Sequence, residues 1–473
     1  MNILVIGSGG REYAIIKSLL KSKHNLEIYG MGDYLNPGIL NMVKGFRIME
    51  LFNLTVFLDF LKEVKPRFVV IGPEKYLNLK MAEILYNENI PCIGPFGIMA
   101  KIETSKIFCR QFLTEYKLDE YSPKYIEINR NANLSPIFEK YNNDFVLKPN
   151  GLTGGKGVKL FNNQNDEARK YVEELLKYDS YLLLEERLEG EEFILLSFCD
   201  GKTTKHMPLI KDFKRVKLDS DLNTGSMGCI IQSNHTFCFL NDEDLERSHY
   251  LNNEVMKKLS KFHEHGYRGI LYGSYMKTNE GVKLIEFNAR FGDPEVIAVL
   301  DILETDLFDI FEAITLQKLD KLDIKFRKTN TLCKYLVPEG YPLSPLKNEK
   351  ISLNKLNSDV KDNVYLAGVK TELSELILTG SRALAVCKSG DNIQELYESV
   401  ENIIMNIEGP LFHRPDIKNE ISANISLYEA SGVNIEEGNN VVKKIKGSLE
   451  RTYNKHVISQ WGDFGGLFNL GTF

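Results

Sequence analysis

Leu284-Ile285-Glu286-Phe287-Asn288-Ala289-Arg290-Phe291-Gly292-Asp293-Pro294-Glu295 is an apolar run that leads into a charged loop. The pattern predicts a strand, whose side chains alternate between two faces. Glu286, Asn288 and Arg290 are then expected on one face, and the apolar residues between them on the other. Carboxylate and amide oxygens suit magnesium, and a guanidinium suits a phosphate or a carboxylate. The stretch therefore predicts a site for a cation and an anion. The alternative is a solvated edge strand with a salt bridge.

The composition argues against several classes of protein. With 473 residues, 43% of them hydrophobic and 26% charged, the chain is expected to form roughly two to four domains. A net charge of −6 without a dense Lys/Arg block argues against a nucleic-acid surface. Seven cysteines without a C-x-x-C pair argue against disulfides or structural zinc. No apolar run approaches membrane-spanning length, so we expect a cytoplasmic protein with no membrane or nucleic-acid partner.

Strand and helix patterns alternate through about the first hundred residues. Asn2–Ile6 and Arg67–Ile71 are predicted strands, and Arg11–Lys21 is a predicted amphipathic helix. This alternation predicts an open parallel sheet. The patterns mix through Glu192–Glu286, as in an α+β region, and Ile302–Thr315 is predicted to form one long helix.

A glycine turn, Gly7-Ser8-Gly9-Gly10-Arg11-Glu12, follows the first strand. Such a turn before a helix directs backbone N–H groups at an anion. The dinucleotide fingerprint G-x-G-x-x-G requires glycine where Glu12 stands, although Asp33 lies where its ribose-binding acid would be. The turn thus favours a phosphate-bearing small substrate, aided by Arg11. A nicotinamide cofactor or a purely structural turn are the alternatives.

A second glycine-rich loop lies in Lys148-Pro149-Asn150-Gly151-Leu152-Thr153-Gly154-Gly155-Lys156-Gly157-Val158. Its spacing does not match the Walker A motif G-x-x-x-x-G-K-[ST]. Two lysines and four glycines between strands instead predict a cationic flap that closes over polyphosphate, with a plain hairpin as the alternative.

Two further segments carry weaker signals. Leu182–Glu192 is a predicted strand that leads into an acidic connector, suited to an adenine edge and a ribose but also typical of a solvated surface. Lys211–Arg215 is a basic cluster followed by the small-residue loop Asn223–Gly228. Together they suit an anionic substrate, or form an ordinary surface loop.

Taken together in this order, the segments resemble those of the ATP-grasp ligases, and specifically the glycinamide ribonucleotide synthetase (phosphoribosylamine–glycine ligase) family. The likeness runs from Met1 to about Ile417 and includes Gly72-Pro73-Glu74, Ser105-Lys106 and Pro410–Ile417. It implies a Rossmann-like open parallel domain over residues 1–102 and a two-lobed ATP-grasp domain over residues 103–325, with a lid at about 121–190. It also implies a small C-terminal α+β domain over residues 326–418. The expected fold class is α/β and α+β.

The resemblance implies a two-step ligation. The carboxylate of glycine attacks the γ-phosphate of ATP, and the amine of 5-phosphoribosylamine then displaces phosphate from glycyl phosphate. Arg290 and Lys148 would be catalytic, and Glu286 and Asn288 would hold Mg²⁺ or Mn²⁺.

The resemblance also assigns the binding residues. ATP would be bound by Lys106, Lys148, Gly154, Gly155, Lys156, Gly157, Glu185, Glu186, Leu188 and Glu192. The phosphoribosylamine and glycine site would be lined by Gly9, Gly10, Arg11, Glu12, Asp212, Lys214, Arg215, Asn223, Arg290, Gly292 and Asp293.

The chain departs from the family pattern at several positions. Tyr13 and Phe213 stand where histidine is usual, Lys75–Asn78 replaces Ala-Pro-Leu, and Ser226 replaces a glycine. Leu271–Thr278 contains none of the extra metal-binding acid found in many ATP-grasp enzymes, which fits this family better than its relatives. These departures leave the phosphate and metal positions intact.

Residues 419–473 lie beyond the expected end of the synthetase. Tyr428–Asn439 and Gly462–Phe468 resemble the start of aminoimidazole ribonucleotide synthetase, a later enzyme of the same pathway. We expect a remnant or a truncated part of a fused bifunctional chain, with an unrelated extension as the alternative.

Three other functions were weighed against the glycine ligase. Another purine-pathway ATP-grasp enzyme is disfavoured by Lys211–Arg215 together with Asn223-Thr224-Gly225. A catalytically silent ATP-binding scaffold is disfavoured by the retained Glu286 and Asn288, and a nicotinamide-dependent oxidoreductase by the glycine that Glu12 replaces.

Overall fold

The computed structural model describes residues 1–152, 157–217 and 224–418. The chain divides into one unit over Met1–Ile417 and a second over Lys418–Phe473. Residues 419–473 lie outside the described residues, so the interpretation of the tail stays a prediction.

Five parallel strands form the N-terminal sheet in the order β3-β2-β1-β4-β5. Its central strands are continuous runs of buried aliphatic residues, as expected where helices cover both faces. The strands are β1 (Asn2–Ile6), β2 (Glu27–Gly32), β3 (Gly45–Ile48), β4 (Phe68–Ile71) and β5 (Cys92–Ile93). The helices of this part are α1 (Gly10–Leu19), α2 (Pro37–Leu40), α3 (Leu54–Val64), α4 (Glu74–Asn78), α5 (Met81–Asn87) and α6 (Gly97–Thr104).

The strand order reverses between β1 and β4, and ligands of open α/β sheets bind at such a switch point. The turn after β1 contains Gly7–Gly10, and the turn after β4 contains Gly72–Glu74. Both turns therefore lie at the carboxyl edge of the sheet, where the chain connects to the rest of the site.

An antiparallel four-stranded sheet, in the order β6-β9-β7-β8, forms the next part of the chain. Stacked and tilted rings of Phe138, Phe145 and Phe161 build its separate hydrophobic core. Its elements are α7 (Lys106–Glu115), β6 (Tyr125–Ile128), α8 (Leu134–Lys140), β7 (Asp144–Pro149), β8 (Lys159–Asn162), α9 (Asn165–Leu175) and β9 (Leu182–Glu186).

The next sheet is also antiparallel, with the order β11-β10-β14-β15. Its long helix is capped by Asn241, whose side chain accepts a hydrogen bond from the N–H of Asp244. The elements of this stretch are β10 (Glu191–Asp200), β11 (Thr204–His206), β12 (Lys211–Asp212), β13 (Gly228–Ile231), α10 (Asp242–Leu259), β14 (Arg268–Thr278) and β15 (Gly281–Asn288).

A β-bulge interrupts β15 one residue before Glu286. Tyr275 pairs with Leu284 and Ser274 with Glu286, so Ile285 is the extra residue. The bulge resets the alternation of faces: Phe287 and Ala289 are buried after it, and Glu286 and Asn288 share the opposite face. The sequence predicted these two faces but not the bulge.

The predicted single helix over Ile302–Thr315 is wrong. The structure has two helices, α11 (Glu295–Ile302) and α12 (Leu307–Leu316). The chain leaves the first helix at Leu303, and Asp306 then caps the second by accepting a hydrogen bond from the N–H of Phe308. The amphipathic pattern continued across this break and concealed it.

The C-terminal part contributes a sheet in the order β12-β13-β16-β21-β18 and a three-stranded sheet in the order β17-β20-β19. Strands β12 and β13, which lie in the predicted ATP-grasp range, thus pair into the C-terminal sheet through β16. The remaining elements are β16 (Asn330–Pro338), β17 (Lys350–Ile351), α13 (Ser358–Lys361), β18 (Val364–Leu366), β19 (Val369–Glu372), β20 (Glu375–Leu378), β21 (Leu384–Gly390), α14 (Ile393–Ile404) and β22 (Leu411–Phe412).

Helix α11 lies at the centre of one large hydrophobic core. This core joins Ile3 and Ile15 of the N-terminal part, Phe198 and Tyr272 of the β11-β10-β14-β15 sheet, and Tyr335 of the C-terminal sheet. The loop before α11 therefore sits where three sheets meet. Among the described residues, no helix is long and apolar enough to cross a membrane.

Candidate active site

Positively charged side chains surround the face of β15 that carries Glu286. Burial alone would raise the pKa of the Glu286 carboxyl, but Lys214, Lys106 and Lys148 lower it. Within the described residues the carboxylate accepts no hydrogen bond and makes no ion pair within 4.0 Å. An ionised carboxylate left without a partner among lysines can bind a cation.

Asn288 completes a pair of oxygen donors on this face. Its Oδ1 accepts one hydrogen bond, at 3.3 Å, from Nη2 of Arg290, and a carbonyl oxygen has a second lone pair. Carboxylate and amide oxygens are hard ligands that suit Mg²⁺ or Mn²⁺. The donors of Glu286 and Asn288 thus fit the divalent cation that the sequence predicted.

Arg290 is fixed by two carboxylates of the N-terminal part. Its Nε lies 3.2 Å from Glu74, in the Gly-Pro-Glu turn, and its Nη2 lies 2.9 Å from Glu103 at the end of α6. Burial would raise the pKa of Glu74, but Arg290 and Arg11 lower it to about 2. These carboxylates hold the guanidinium in one orientation beside the face of β15 that carries Glu286 and Asn288.

Lys148 is held by a buried ion-pair chain. Its Nζ lies 2.5 Å from Glu185, and the other oxygen of Glu185 lies 2.5 Å from Nε of Arg110. Arg110 also donates a 2.7 Å hydrogen bond to the carbonyl of Ile285, the bulged residue of β15. Burial alone would raise the pKa of Glu185, but Arg110 and Lys148 lower it to about 2. One chain of charges therefore joins Lys148, a predicted phosphate ligand, to strand β15.

Lys106 is the first residue of α7, and its Nζ donates to the carbonyl of Gly151 at 3.0 Å. Asn150 ties this helix to the glycine-rich loop, because its Oδ1 accepts hydrogen bonds from the N–H of Ile107 and from Oγ of Ser105, both at 3.0 Å. Burial, together with Lys148, lowers the pKa of Lys106. The start of the loop and the N-terminus of α7 thus form one hydrogen-bonded corner, and a helix N-terminus suits an anion.

Several predicted ligand residues lie outside the described residues. Gly154, Gly155, Lys156 and Asn223 are among them, so their assignment stays a prediction. Gly157, at the far end of the loop, has a φ of +94°, and its carbonyl accepts a 3.0 Å hydrogen bond from Tyr171.

The side chains of the predicted adenine and ribose segment have protein partners. Glu185 forms the ion pairs described above, and Glu186 accepts a 2.8 Å hydrogen bond from the N–H of Lys124. Leu188 lies in the irregular connector after β9. Glu192 lies 2.7 Å from Nζ of Lys214, so a ribose there would meet an ion pair.

Glu12 fills the space that a dinucleotide would need. Its carboxylate accepts a 2.7 Å hydrogen bond from the N–H of Gly9 and lies 2.6 Å from Nε of Arg11. A Cβ at Gly72 would lie only 2.0 Å from its Oε1. Asp33, the candidate ribose acid, instead pairs with Lys75 and accepts a 2.9 Å hydrogen bond from Tyr76. Two of the departures at Lys75–Asn78 thus occupy the acid that a nicotinamide cofactor would use.

The loop before α11 brings Asp293 against the glycine turn. Asp293 accepts a 2.6 Å hydrogen bond from the hydroxyl of Tyr335. It also forms an ion pair with Arg382, whose Nη2 donates a 2.8 Å hydrogen bond to Oδ2. A Cβ at Gly10 would lie 2.4 Å from that same tyrosine hydroxyl. The turn is also tied to the loop by Arg11, which donates to the carbonyl of Phe291 at 3.1 Å.

Ser226 is a departure that the structure places inside the substrate loop. Its φ of +90° lies in the region that favours glycine, which is the residue usual in the family. The hydroxyl donates a 3.0 Å hydrogen bond to the carbonyl of Gly228 and accepts a 3.1 Å one from the N–H of the same residue. Of the other departures, Tyr13 packs edge-on against Tyr365 at 5.5 Å between ring centroids, and Phe213 is buried.

Sequence reasoning missed Arg110, Asn150, Tyr335, Arg382 and Glu295. Arg110 follows Lys106 by one helical turn, so the two share a face of α7, and this spacing could have revealed it. Arg382 and Asp293 lie 89 residues apart and carry no comparable signal.

Models of one protein family match most of the chain. They are the N domain of phosphoribosylglycinamide synthetase over residues 1–103, its ATP-grasp (A) domain over residues 104–296 and its C domain over residues 331–420. The phosphoribosylamine–glycine ligase of Methanosarcina barkeri is 37% identical over 423 residues, covering 88% of this chain and 96% of that protein. That of Methanocaldococcus jannaschii is 36% identical over 441 residues, with the same shares of 88% and 96%.

The chain belongs to the phosphoribosylamine–glycine ligase family. The resemblance predicted from the sequence is therefore confirmed, and the chain is an ATP-grasp ligase. Use of ATP and a divalent cation is general to the ATP-grasp fold.

Solved structures show the same fold. The phosphoribosylamine–glycine ligase of Thermotoga maritima has a TM-score of 0.73 at 21% identity, covering 88% of this chain and 100% of that chain. Biotin carboxylase of Campylobacter jejuni has a TM-score of 0.65 at 13% identity, covering 86% of this chain and 92% of that chain. The predicted α/β and α+β fold class is confirmed.

We predict that Arg110→Leu destabilises the protein by about 3–5 kcal/mol, because it removes one partner from a buried ion pair and leaves Glu185 with Lys148 alone. Urea-unfolding midpoints measure this loss. The matched control is Arg67→Leu, whose pair with Glu312 is exposed, and it should cost less than about 1 kcal/mol. Equal losses of unfolding free energy in the two variants would show that the buried ion pairs of Glu185 contribute no more to stability than an exposed pair.

Proposed function

We propose that the chain ligates glycine to 5-phosphoribosylamine at the expense of ATP, giving glycinamide ribonucleotide, ADP and phosphate through glycyl phosphate. The observation that carries this proposal is the Glu286–Glu295 stretch. Glu286 and Asn288 offer two oxygen donors near lysines, and within the described residues the Glu286 carboxylate accepts no hydrogen bond. The later residues contact the glycine turn and the C-terminal sheet. The names of the relatives support the same reaction.

At the phosphate end, Glu286 and Asn288 would hold Mg²⁺ or Mn²⁺, which neutralises negative charge on the ATP phosphates when bound. The charges of Lys106, at the N-terminus of α7, and of Lys148 act on Glu286. Phosphoryl transfer needs positioning and charge stabilisation more than covalent chemistry. Gly154, Gly155, Lys156 and Gly157 would belong to the lid that excludes water.

In the first step the carboxylate of glycine attacks the γ-phosphorus of ATP and ADP leaves. Arg290 is suited to orient that carboxylate, because Glu74 and Glu103 fix its guanidinium next to the cation-binding face. Lys148, held by Glu185, would stabilise the charge on the transferred phosphoryl group. These two residues are the proposed catalytic pair.

In the second step the amine of 5-phosphoribosylamine attacks the carbonyl carbon of glycyl phosphate and phosphate leaves. Its phosphoribosyl group would lie along the carboxyl edge of the N-terminal sheet. The glycines of the turn allow close approach there, and Arg11 supplies charge. The residues proposed for this end are Gly9, Gly10, Arg11, Glu12, Asp212, Lys214, Arg215, Asn223, Gly292 and Asp293.

The connector after β9 is the proposed adenine site. Glu185, Glu186 and Leu188 border it, and Glu192 lies where the ribose is expected. Because Glu185 and Glu186 are engaged by protein groups, their backbone atoms rather than their carboxylates would meet the base.

No observation favours a second function. Glu12 occupies the turn that a nicotinamide cofactor would need. The tail sequence supports a fusion to, or association with, aminoimidazole ribonucleotide synthetase, and the composition supports a cytoplasmic location; both remain proposals.

A coupled ADP-release assay with ATP, Mg²⁺, glycine and freshly made 5-phosphoribosylamine should show turnover that requires both glycine and the amine. ADP release that is unaffected by omitting glycine would contradict the proposed function, since an acyl phosphate could not then be an intermediate.

We predict that Glu286→Gln lowers kcat by about 100-fold or more, because an amide binds a divalent cation far less well than a carboxylate. The matched control is Glu280→Gln at the exposed turn of the same hairpin, which should keep wild-type kcat. Wild-type rates in the Glu286 variant would show that this carboxylate does not hold the cation.

A further inference from the structure

Two carboxylates at the substrate end have buried oxygens without hydrogen-bond partners. They are Oδ1 of Asp212 and Oε2 of Glu295. A buried carboxylate oxygen without a donor is costly, and the cost falls when a proton is bound. Glu295 has no role in the reaction as described so far.

Glu295 is fixed in place by its neighbours. It is the first residue of α11 and only 3% exposed. Its Oε1 accepts a 2.9 Å hydrogen bond from Tyr272, and a Cβ at Gly292 would lie 2.4 Å from its Oε2. The tyrosine and the glycine therefore leave the free oxygen one orientation.

Asp212 is at the end of β12, where the substrate loop begins. Unlike Glu295 it is partly exposed, although its Oδ1 is buried. The negative charge of Glu295 acts on it, so the two carboxyls are electrostatically linked.

The charges around this pair are of both signs. Burial is the largest cause that raises the pKa of Asp212, to about 7, and the negative charges of Glu295 and Glu192 raise it further. The positive charge of Lys214 lowers it. Burial also raises the pKa of Glu295. The negative charge of Asp293 raises this pKa further, and the positive charge of Arg290 lowers it. The remaining facing groups are Arg382 and the hydroxyl of Tyr272.

We propose that Asp212 and Glu295 form a carboxyl pair that accepts the proton lost by the attacking amine. This inference rests on the proposed function and adds a proton acceptor to its second step. Asp212, on the substrate side, takes the proton, and Glu295 is a positioning residue that makes it a stronger base.

The proposed step balances in atoms and electrons. The nitrogen lone pair forms the bond to the carbonyl carbon of glycyl phosphate, and the carbon–oxygen bond to phosphate breaks with its electron pair leaving on phosphate. One N–H bond breaks, its electrons stay on nitrogen, and the proton passes to Asp212. The pair then releases the proton to the departing phosphate or to water. No oxidant, reductant or further reactant is needed.

The test is the pH dependence of kcat/KM for the amine, in wild type, Glu295→Gln and Tyr272→Phe. In the wild type we expect a rising limb near pH 7, where the pair loses its proton. Glu295→Gln removes a like charge, so the pKa of Asp212 falls and the limb moves about one pH unit lower. Tyr272→Phe removes a donor that stabilises ionised Glu295, so Glu295 carries less negative charge and the limb moves in the same direction by a smaller amount. A graded shift of the limb in the two variants is a result that loss of active protein alone would not give.

The first step supplies a second readout. Exchange of ¹⁸O between the bridging and non-bridging positions of ATP, with glycine but without the amine, reports formation of glycyl phosphate. Glu295→Gln should retain this exchange within about threefold of wild type while losing about tenfold or more in amide formation. The control Glu304→Gln, at an exposed site, should match wild type in both.

Each outcome bears on one proposal. An active wild type whose limb stays in place in both variants overturns the carboxyl pair and leaves the ligase function standing. Equal losses of exchange and amide formation in Glu295→Gln also overturn it, because the residue would then serve the whole site. A wild type without glycine-dependent turnover overturns the function itself.

Discussion

A buried carboxylate between two cations connects the parts of this active site. Glu185 is 2% exposed and contacts both Arg110 and Lys148 at 2.5 Å. An unpaired charge in that position would cost several kcal/mol, so each member needs the others in place. Arg110 also donates a hydrogen bond to the carbonyl of Ile285. The ion pairs therefore fix the β6-β9-β7-β8 sheet, helix α7 and strand β15 relative to one another. Lys148, proposed to bind phosphate, is thereby held close enough for its charge to act on Glu286, the proposed cation ligand.

The loop after β15 extends the same principle to the other substrates. Arg290 is held by carboxylates of the N-terminal part, and Asp293 by Tyr335 and Arg382 of the C-terminal part. Neighbouring residues of one loop are thus fixed by elements far away in sequence. The large shared core around α11 supplies the rigidity, and the ionic contacts at its N-terminus set the orientation of the groups. An enzyme that works by positioning needs both.

The sequence pattern predicted the features that depend on local order. Strand Asn2–Ile6 has the predicted bounds, and the faces of Glu286 and Phe287 are as predicted. The bulge at Ile285 was not predicted, because it depends on pairing with β14 and on Arg110. The break between α11 and α12 was hidden by apolar residues that suit a shared core on either side. Tyr335 and Arg382 could not be found from sequence, since their partner is recognised only through tertiary contact. From the sequence, Glu12 indicates only that the last glycine of the dinucleotide motif is absent. In the structure its carboxylate lies in the turn, against Gly9 and Gly72.

The central claim is that ATP activates the carboxylate of glycine at the edge defined by Glu286 and Arg290. The most direct measurement follows oxygen from glycine labelled with ¹⁸O in its carboxylate, during turnover with unlabelled ATP and 5-phosphoribosylamine. Attack by that carboxylate on the γ-phosphorus transfers one of its oxygens, so each molecule of inorganic phosphate should carry one ¹⁸O atom. Phosphate that contains no label would contradict the account, because the γ-phosphoryl group would then have gone to water rather than to glycine.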